Sequence, residues 1–236
     1  MKAKILGCVI LLALLTVVVY KVASKNQRQP LEGIPQKNQL RWRVQQAKKE
    51  GLDKIEVEPP LIDYLGAEES DLNEVLQWYT VVVAKPVEQR TYEQTDTGND
   101  LITWVRFRTI ESLSPLRPPR CPACNSYTVP TEMLPLQPGE FLVPQTGGEK
   151  NVEGVNVREM SSNFPPFKSN REYLLLISLY PNGVAFTLGG PTGVFMVNED
   201  DQVSSVSPKS HPLKEQMQSI YGNSLSHVKA VTKPSR

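Results

Sequence analysis

Residues Glu172 to Val197 read EYLLLISLYPNGVAFTLGGPTGVFMV. The run Leu174-Leu175-Leu176-Ile177 with Leu179 meets a Tyr180-Pro181-Asn182-Gly183 turn, and a second extended run passes through Gly189-Gly190-Pro191 into Val194-Phe195-Met196-Val197. Consecutive antiparallel strands in the core of a small β domain are the natural reading. Gly189 to Gly193 has the composition of a phosphate loop but lacks its Lys and its strand-to-helix setting. Its glycines are read as easing a sharp corner.

Working outward, further strands come into view on both sides. Tyr79-Thr80-Val81-Val82-Val83-Ala84 is β-branched and should stop near Pro86. In Leu101 to Leu113, LITWVRFRTIESL, Val105, Phe107 and Thr109 alternate with Trp104, Arg106 and Arg108, so one face enters a core and the other is expected to be exposed. Phe141-Leu142-Val143-Pro144 resumes strand, Thr146-Gly147-Gly148-Glu149 turns, and Val152, Val155 and Val157 mark the next run. The segment Asn163-Phe164-Pro165-Pro166-Phe167 leads into the central stretch, and Val194 to Val197 and Gln202 to Val206 flank the turn Asn198-Glu199-Asp200-Asp201.

Helical signals flank this β region. Leu40, Val44 and Ala47 recur at helical spacing before Gly51. Ser70 or Asp71, with Glu74, forms a capping pattern ahead of Leu72, Val75 and Leu76. Pro212 opens a last helix whose shared face is Leu213, Met217 and Ile220, and Gly222 ends it. The tail from Thr232 reads as loose.

At the amino terminus, Lys2 and Lys4 precede the uncharged run Ile5 to Tyr20, closed by Lys21. As a helix this run is roughly 24 Å long, short of the roughly 30 Å hydrocarbon core unless Val22 and Ala23 join it and Lys21 snorkels. The small residues of a cleavage site are poorly matched by Val22-Ala23-Ser24, so an uncleaved anchor is preferred to a removed signal. The domain is placed outside the cytoplasm, periplasmic or at the cell surface, and would be secreted if the segment were cleaved. Arg41, Arg43, Lys48 and Lys49 either touch anionic headgroups or form the solvated face of a connecting helix.

The chain has 236 residues, and its 26 basic and 25 acidic residues leave a formal charge of +1, which gives no basic field of the kind that marks nucleic-acid binders. Both histidines lie in the C-terminal appendage, and no Ser sits in a G-x-S-x-G elbow, so no catalytic residues are assigned and the chain is not read as an enzyme. Glu199, Asp200 and Asp201 suit Ca²⁺ by type, but acidic residues at a hairpin tip more commonly just solvate it.

Residues 114 to 139 break every periodicity with Pro115, Pro118, Pro119, Pro122, Pro130, Pro135 and Pro138 around Cys121-Pro122-Ala123-Cys124. A loop this long in a small domain carries function or moves. Outside the cytoplasm Cys121 and Cys124 suit a local disulfide. As thiolates they would supply half of a zinc site, with His211 and His227 the only other ligands of suitable type and a second copy of the chain the readier source. A redox pair wants a following helix, for which Asn125 to Pro130 is unsuited, and haem attachment needs a His where Asn125 stands.

In this order, VVVA (Val81 to Ala84), TWVRF (Thr103 to Phe107), Gly147-Gly148, PPF…REYLLL (Pro165 to Phe167, Arg171 to Leu176) and the closing G-x-x-G-x-F-x-V (Gly190 to Val197) resemble exported bacterial proteins of uncharacterised function. The resemblance implies a small closed antiparallel barrel related to OB folds and to netrin-like or metalloproteinase-inhibitor-like modules. The netrin-like disulfide framework is absent, since the chain has only Cys8, Cys121 and Cys124.

The expected architecture is therefore mainly β. It comprises a membrane anchor or signal segment (1–24), a tether with short helices (25–78), an OB-like barrel (79–206) and a C-terminal helix with a loose tail (207–236). The expected activity is binding to another envelope protein or surface component through Trp104, Arg106, Arg108 and the loop around Cys121, with no cofactor unless zinc. The alternative is an envelope thiol-disulfide or zinc-binding protein that uses Cys121 and Cys124.

Overall fold

The computed structural model describes residues 39–57, 66, 68–94, 100–119, 121, 128–161 and 164–232. All of them belong to one unit, Gln36–Arg236. The predicted membrane segment, residues 5 to 23, lies outside the described residues, among which no helix is long and apolar enough to cross a membrane.

The described residues are mainly β. They form helix α1 (Gln39–Lys49), strand β1 (Lys54–Val57), α2 (Leu72–Trp78), β2 (Thr80–Gln94), β3 (Asp100–Ser112), β4 (Glu140–Thr146), β5 (Gly148–Val152), β6 (Val155–Glu159), β7 (Glu172–Leu179), β8 (Ala185–Thr187), β9 (Val194–Val197), β10 (Val203–Ser205), α3 (Pro212–Tyr221) and α4 (Leu225–Thr232). Strands of the central stretch pair as expected: β7 lies antiparallel to β2 on one side and to β9 and β8 on the other.

The expected closed OB-like barrel is not what forms. The strands make two separate sheets, a seven-stranded one ordered β10-β9-β7-β2-β3-β4 with β8 beside β7, and a three-stranded one ordered β1-β6-β5. In the large sheet β4 meets the segment before β8 only through an isolated bridge, in which the Leu142 N–H donates to the Gly183 carbonyl at 2.8 Å. No ladder seals it. The cause is local: after β4, Gly147 and Gly148 adopt φ of 92° and 140°, and the chain leaves the large sheet for β5, which pairs only with β6. A Cβ on Gly147 would strike the Glu159 carbonyl, and one on Gly148 would strike the Thr103 and Thr91 hydroxyls. Glycine is needed at both for the turn and for the close passage of backbone.

A second departure is the length of β2. It does not stop at Pro86 but runs to Gln94, because the ladder with β3 shifts register between Pro86 and Glu88 and again between Val83 and Ala84. A proline that cannot donate is accommodated beside a bulge. The bulges leave Val87 on β2 and Ile110 on β3 without a directly opposed residue.

Alternation along the strands sorts the core. Val81 and Val83 of β2 and Leu174 and Leu176 of β7 face α2, α3 and α4, whose Leu72, Val75, Leu213, Met217, Leu225 and Val228 cover them. Val82, Ala84, Leu175 and Ile177 face the other way, onto Val105, Phe107, Phe141, Phe164 and Phe167. Phe107 stacks on Phe141 with centroids 5.6 Å apart and receives Phe167 edge-on at 4.9 Å, a packing worth about 0.5–1.5 kcal/mol per pair beyond area alone.

The helix signals hold at their ends. Asp71 caps α2 by accepting the Asn73 and Glu74 N–H groups, and α3 begins at Pro212 and ends on left-handed Gly222. Within α3, Leu213 and Met217 are buried as expected but Ile220 is exposed, and Tyr221 takes its place on the inner face. Helix α1 lays Leu40, Val44 and Ala47 on Val152, Val155 and Val157 of the small sheet.

Candidate partner surface

The outer face of β2, β3 and β4 divides into an apolar end and a charged end. At the apolar end Tyr92 is paired with Ile102, and Arg90 with Trp104. Trp104 is not on the surface: it is 1% exposed, buried with Ile102, Leu142, Val184 and Met133. The alternation along β3 predicts it on the exposed face with Arg106 and Arg108. What buries it is the chain from Val129 to Gly139, a strap that includes the short 3-10 turn Thr131–Met133 and seats Met133, Val129 and Leu136 on the strands.

At the charged end the arginines are braced by carboxylates. Arg106 donates from Nη2 to the Met133 carbonyl at 2.8 Å and lies 3.3 Å from Glu88 Oε2, while its Nη1 lies 3.9 Å from Glu140 Oε2. Arg108 Nη2 donates to Glu140 Oε1 at 2.8 Å, and Arg90 Nε to Glu88 Oε1 at 2.6 Å. The Glu140 side chain is 2% exposed. Burial acts to raise its carboxyl, but hydrogen bonds from Arg108 and the Gln137 N–H, with the charges of Arg108 and Arg106, outweigh it and hold the group below the usual carboxylate range. Burial also raises the Tyr92 phenol above its ordinary range.

Exposure divides the predicted contact residues. The Arg106 side chain is only 17% exposed and serves as a brace, whereas Arg108 is 61% exposed. Arg108 stands opposite Lys85, also exposed, and the two bulges bracket this rung with Val87, 42% exposed, and Ile110, 51% exposed. Bulges commonly re-aim a side chain out of the pleat. Sequence alternation alone had no means to single out Lys85, Val87 and Ile110. The usable signal was Pro86, which inside a strand implies a bulge next to it.

Other predicted chemistry resolves into structure. Cys121 is disulfide-bonded, and its carbonyl accepts the Tyr180 hydroxyl at 2.8 Å, while Cys124 lies outside the described residues. Burial raises the Tyr180 phenol above its ordinary range. His211 caps α3 through Nδ1, which accepts the Leu213 N–H, and His227 Nδ1 lies 3.0 Å from the Tyr221 carbonyl. No group of three or more His, Cys, Asp or Glu side chains suited to a metal occurs among the described residues.

In the acidic turn, Asp201 accepts the Ser226 N–H at 2.9 Å and the Ser226 hydroxyl, fastening the start of α4. Of the α1 cations, Arg41 lies 3.5 Å from Glu93 and Lys48 3.0 Å from Glu153, so both pair within the domain itself. The outward face of the small sheet carries Lys54, Glu149, Asn156 and Arg158 around a shallow cavity of about 270 Å³, with Glu56 nearby. These groups pair with one another: Arg158 lies 2.9 Å from Glu149 and 3.6 Å from Glu56. Arg108 is paired too, with Glu140, but it remains 61% exposed, and with Lys85 opposite and Val87 and Ile110 beside it the rung forms an exposed cationic site with apolar flanks.

Neither a protein-family model nor a curated protein matches this chain.

Proposed function

We propose that this protein is a membrane-tethered, extracytoplasmic binding module that engages an envelope protein or surface component through the outer face of β2 and β3. The observation that carries the reading is the bulge-framed rung: exposed cations Lys85 and Arg108 between exposed aliphatic side chains Val87 and Ile110. Arg108 is held in place by Glu140 yet remains open to solvent, an arrangement that lowers the entropy lost when a partner carboxylate binds. A partner with an acidic residue beside apolar ones fits this rung, with Arg108 as the anchor type enriched at binding hot spots. Tethering rests on the uncharged run Ile5 to Tyr20. Trp104 is no part of the contact, and the thiol-disulfide alternative has no free Cys121 thiol to start from in this state.

Photo-crosslinkers placed at 87, 110 and, as a control, 149 in the full chain in its native membrane test this. Adducts of defined mass from 87 and 110 and none from 149 are expected. Equal adducts at all three positions, or none, would overturn the reading. Protease applied to intact cells should cut the domain once the outer barrier is opened, and protection until the inner membrane is broken would refute the compartment.

A further inference from the structure

Helix α1 differs from the rest of the chain in its charge. Its 11 residues carry Arg41, Arg43, Lys48 and Lys49 and no carboxylate, whereas the whole chain balances 26 basic against 25 acidic residues. Leu40, Val44 and Ala47 are buried on the small sheet. By helical periodicity Trp42, Gln45 and Lys49 line the side turned away from that contact, with Arg41 and Lys48 on one flank and Arg43 on the other. Gln45 and Lys49 are exposed and Trp42 is half-buried. Arg41 and Lys48 reach Glu93 and Glu153, yet their side chains stay 60% and 44% exposed. Among the described residues no ion pair engages Arg43 or Lys49. The next carboxylates, Glu50 and Asp53, are exposed and lie beyond the end of the helix.

Residues 21 to 38 join the uncharged run Ile5 to Tyr20 to this helix. With the run in a bilayer, a chain of that length keeps α1 within about 60 Å of it even when fully extended. Anionic headgroups are then the one partner present beside α1 in every molecule, and a tethered site meets them at a high effective concentration, so weak attractions suffice. The residue types fit as well. Lysine and arginine pair with headgroup phosphates on long stems, and tryptophan is enriched where a protein meets the membrane–water boundary.

We infer that α1 is a membrane-docking helix, whose cationic side bearing Trp42 rests on the anionic phospholipid headgroups of the bilayer that holds the tether. The inference rests on the tether of the proposed function and adds the orientation of the domain. Arg41 lies against Glu93, toward the far end of β2 from Lys85. At roughly 3.4 Å per residue the strand from Glu93 to Lys85 is about 27 Å long. Seating α1 therefore leaves the Lys85–Arg108 rung that far along β2 from the seated end, open to a partner.

The test uses the purified full chain reconstituted into vesicles, with a diazirine photo-crosslinker at position 45 or, as a control, at 110. Covalent phospholipid adducts are read by mass spectrometry. In an equal mixture of phosphatidylcholine and phosphatidylglycerol, position 45 should give at least about fivefold more lipid adduct than position 110. That excess should shrink severalfold in phosphatidylcholine alone, and likewise in Arg43→Gln/Lys49→Gln, whose exchanges leave the buried face of α1 intact. Equal adducts at 45 and 110, or the same excess in both lipids, would overturn the docking. A chain that alkaline carbonate strips from the vesicles would overturn the tether and the docking together. If instead position 45 yields protein adducts in the native membrane and no lipid adducts in vesicles, α1 meets an acidic protein and the lipid assignment falls. Absence of envelope crosslinks at 87 and 110 would refute the proposed partner contact while leaving the lipid adduct at 45 untouched.

Discussion

Two ends of one face of the large sheet are apolar, and they are covered by different means. At β2 and β7, Val81, Val83, Leu174 and Leu176 are buried by three helices that are capped at Asp71 and His211 and locked to one another by side-chain bonds, such as Tyr221 to Asn73 at 2.7 Å. At β3 and β4, Trp104 and Ile102 are buried by one strap, which seats Val129, Met133 and Leu136 and accepts bonds from Arg106 at the Met133 carbonyl and from the Thr109 N–H at the Gly139 carbonyl. Burial is equally complete in both, yet one cover is made of capped, cross-bonded helices and the other of a single irregular segment. Fractional exposure therefore reports how well a face is covered and says little about how firmly.

The sharpest way to break this contrast is to cut equivalent holes at each end. Leu176→Ala, under the helices, should lose about 3–5 kcal/mol in urea unfolding, because the ladders and helices around it cannot collapse into the void. Met133→Ala should cost less, about 2 kcal/mol or under, since the strap is free to settle. Equal losses would show the strap to be as integral as the helices.

Next in size is the brace. Arg106→Gln should destabilise by about 1–3 kcal/mol, because it leaves the Met133 carbonyl without its donor and removes a charge beside buried Glu140. Its effect should be larger on Trp104 quenching than on amide protection of β7. The reverse would place Arg106 in the common core.

A smaller effect is expected in acid. The Glu140 carboxyl is held below its unfolded value, so its contribution is present above the ordinary carboxylate range and is lost as pH falls through the lower folded value. Urea midpoints measured downward from neutral pH should fall more steeply for the wild type than for Glu140→Gln. Parallel curves would mean that the arginines do not stabilise the ionised form. The least effect should follow Asp201→Ala, about 1 kcal/mol, from loss of the bonds that start α4.

Much of the large sheet is legible in the amino-acid sequence. The Leu174 to Leu179 run with its turn, the Asp71 cap and the Pro212 and Gly222 boundaries are local signals, and local chemistry decides them. What failed was global. Alternation along β3 correctly put Val105 and Phe107 inside, but Trp104 and Arg106 share a parity, and nothing within the strand says that a distant Met133 covers one of them.

The barrel failed for a similar reason. Gly147-Gly148 is legible as a turn, yet whether the next strand rejoins the same sheet depends on the space beside Glu159 and Thr103. The pairing of β1 with β6, parallel and distant in sequence, leaves no local trace either. Of the candidate surface, Arg108 was legible as an exposed cation, while its frame of Lys85, Val87 and Ile110 needed the bulges.

Whether a partner binds at the Lys85–Arg108 rung can be decided with a photo-crosslinker at position 110 in the membrane-bound chain, compared between the native rung and Lys85→Gln/Arg108→Gln. A discrete adduct is expected from the native rung, with its loss, by about tenfold or more, in the double variant and with folding verified by unchanged urea unfolding of β7. An adduct of equal yield in both would contradict binding at the rung.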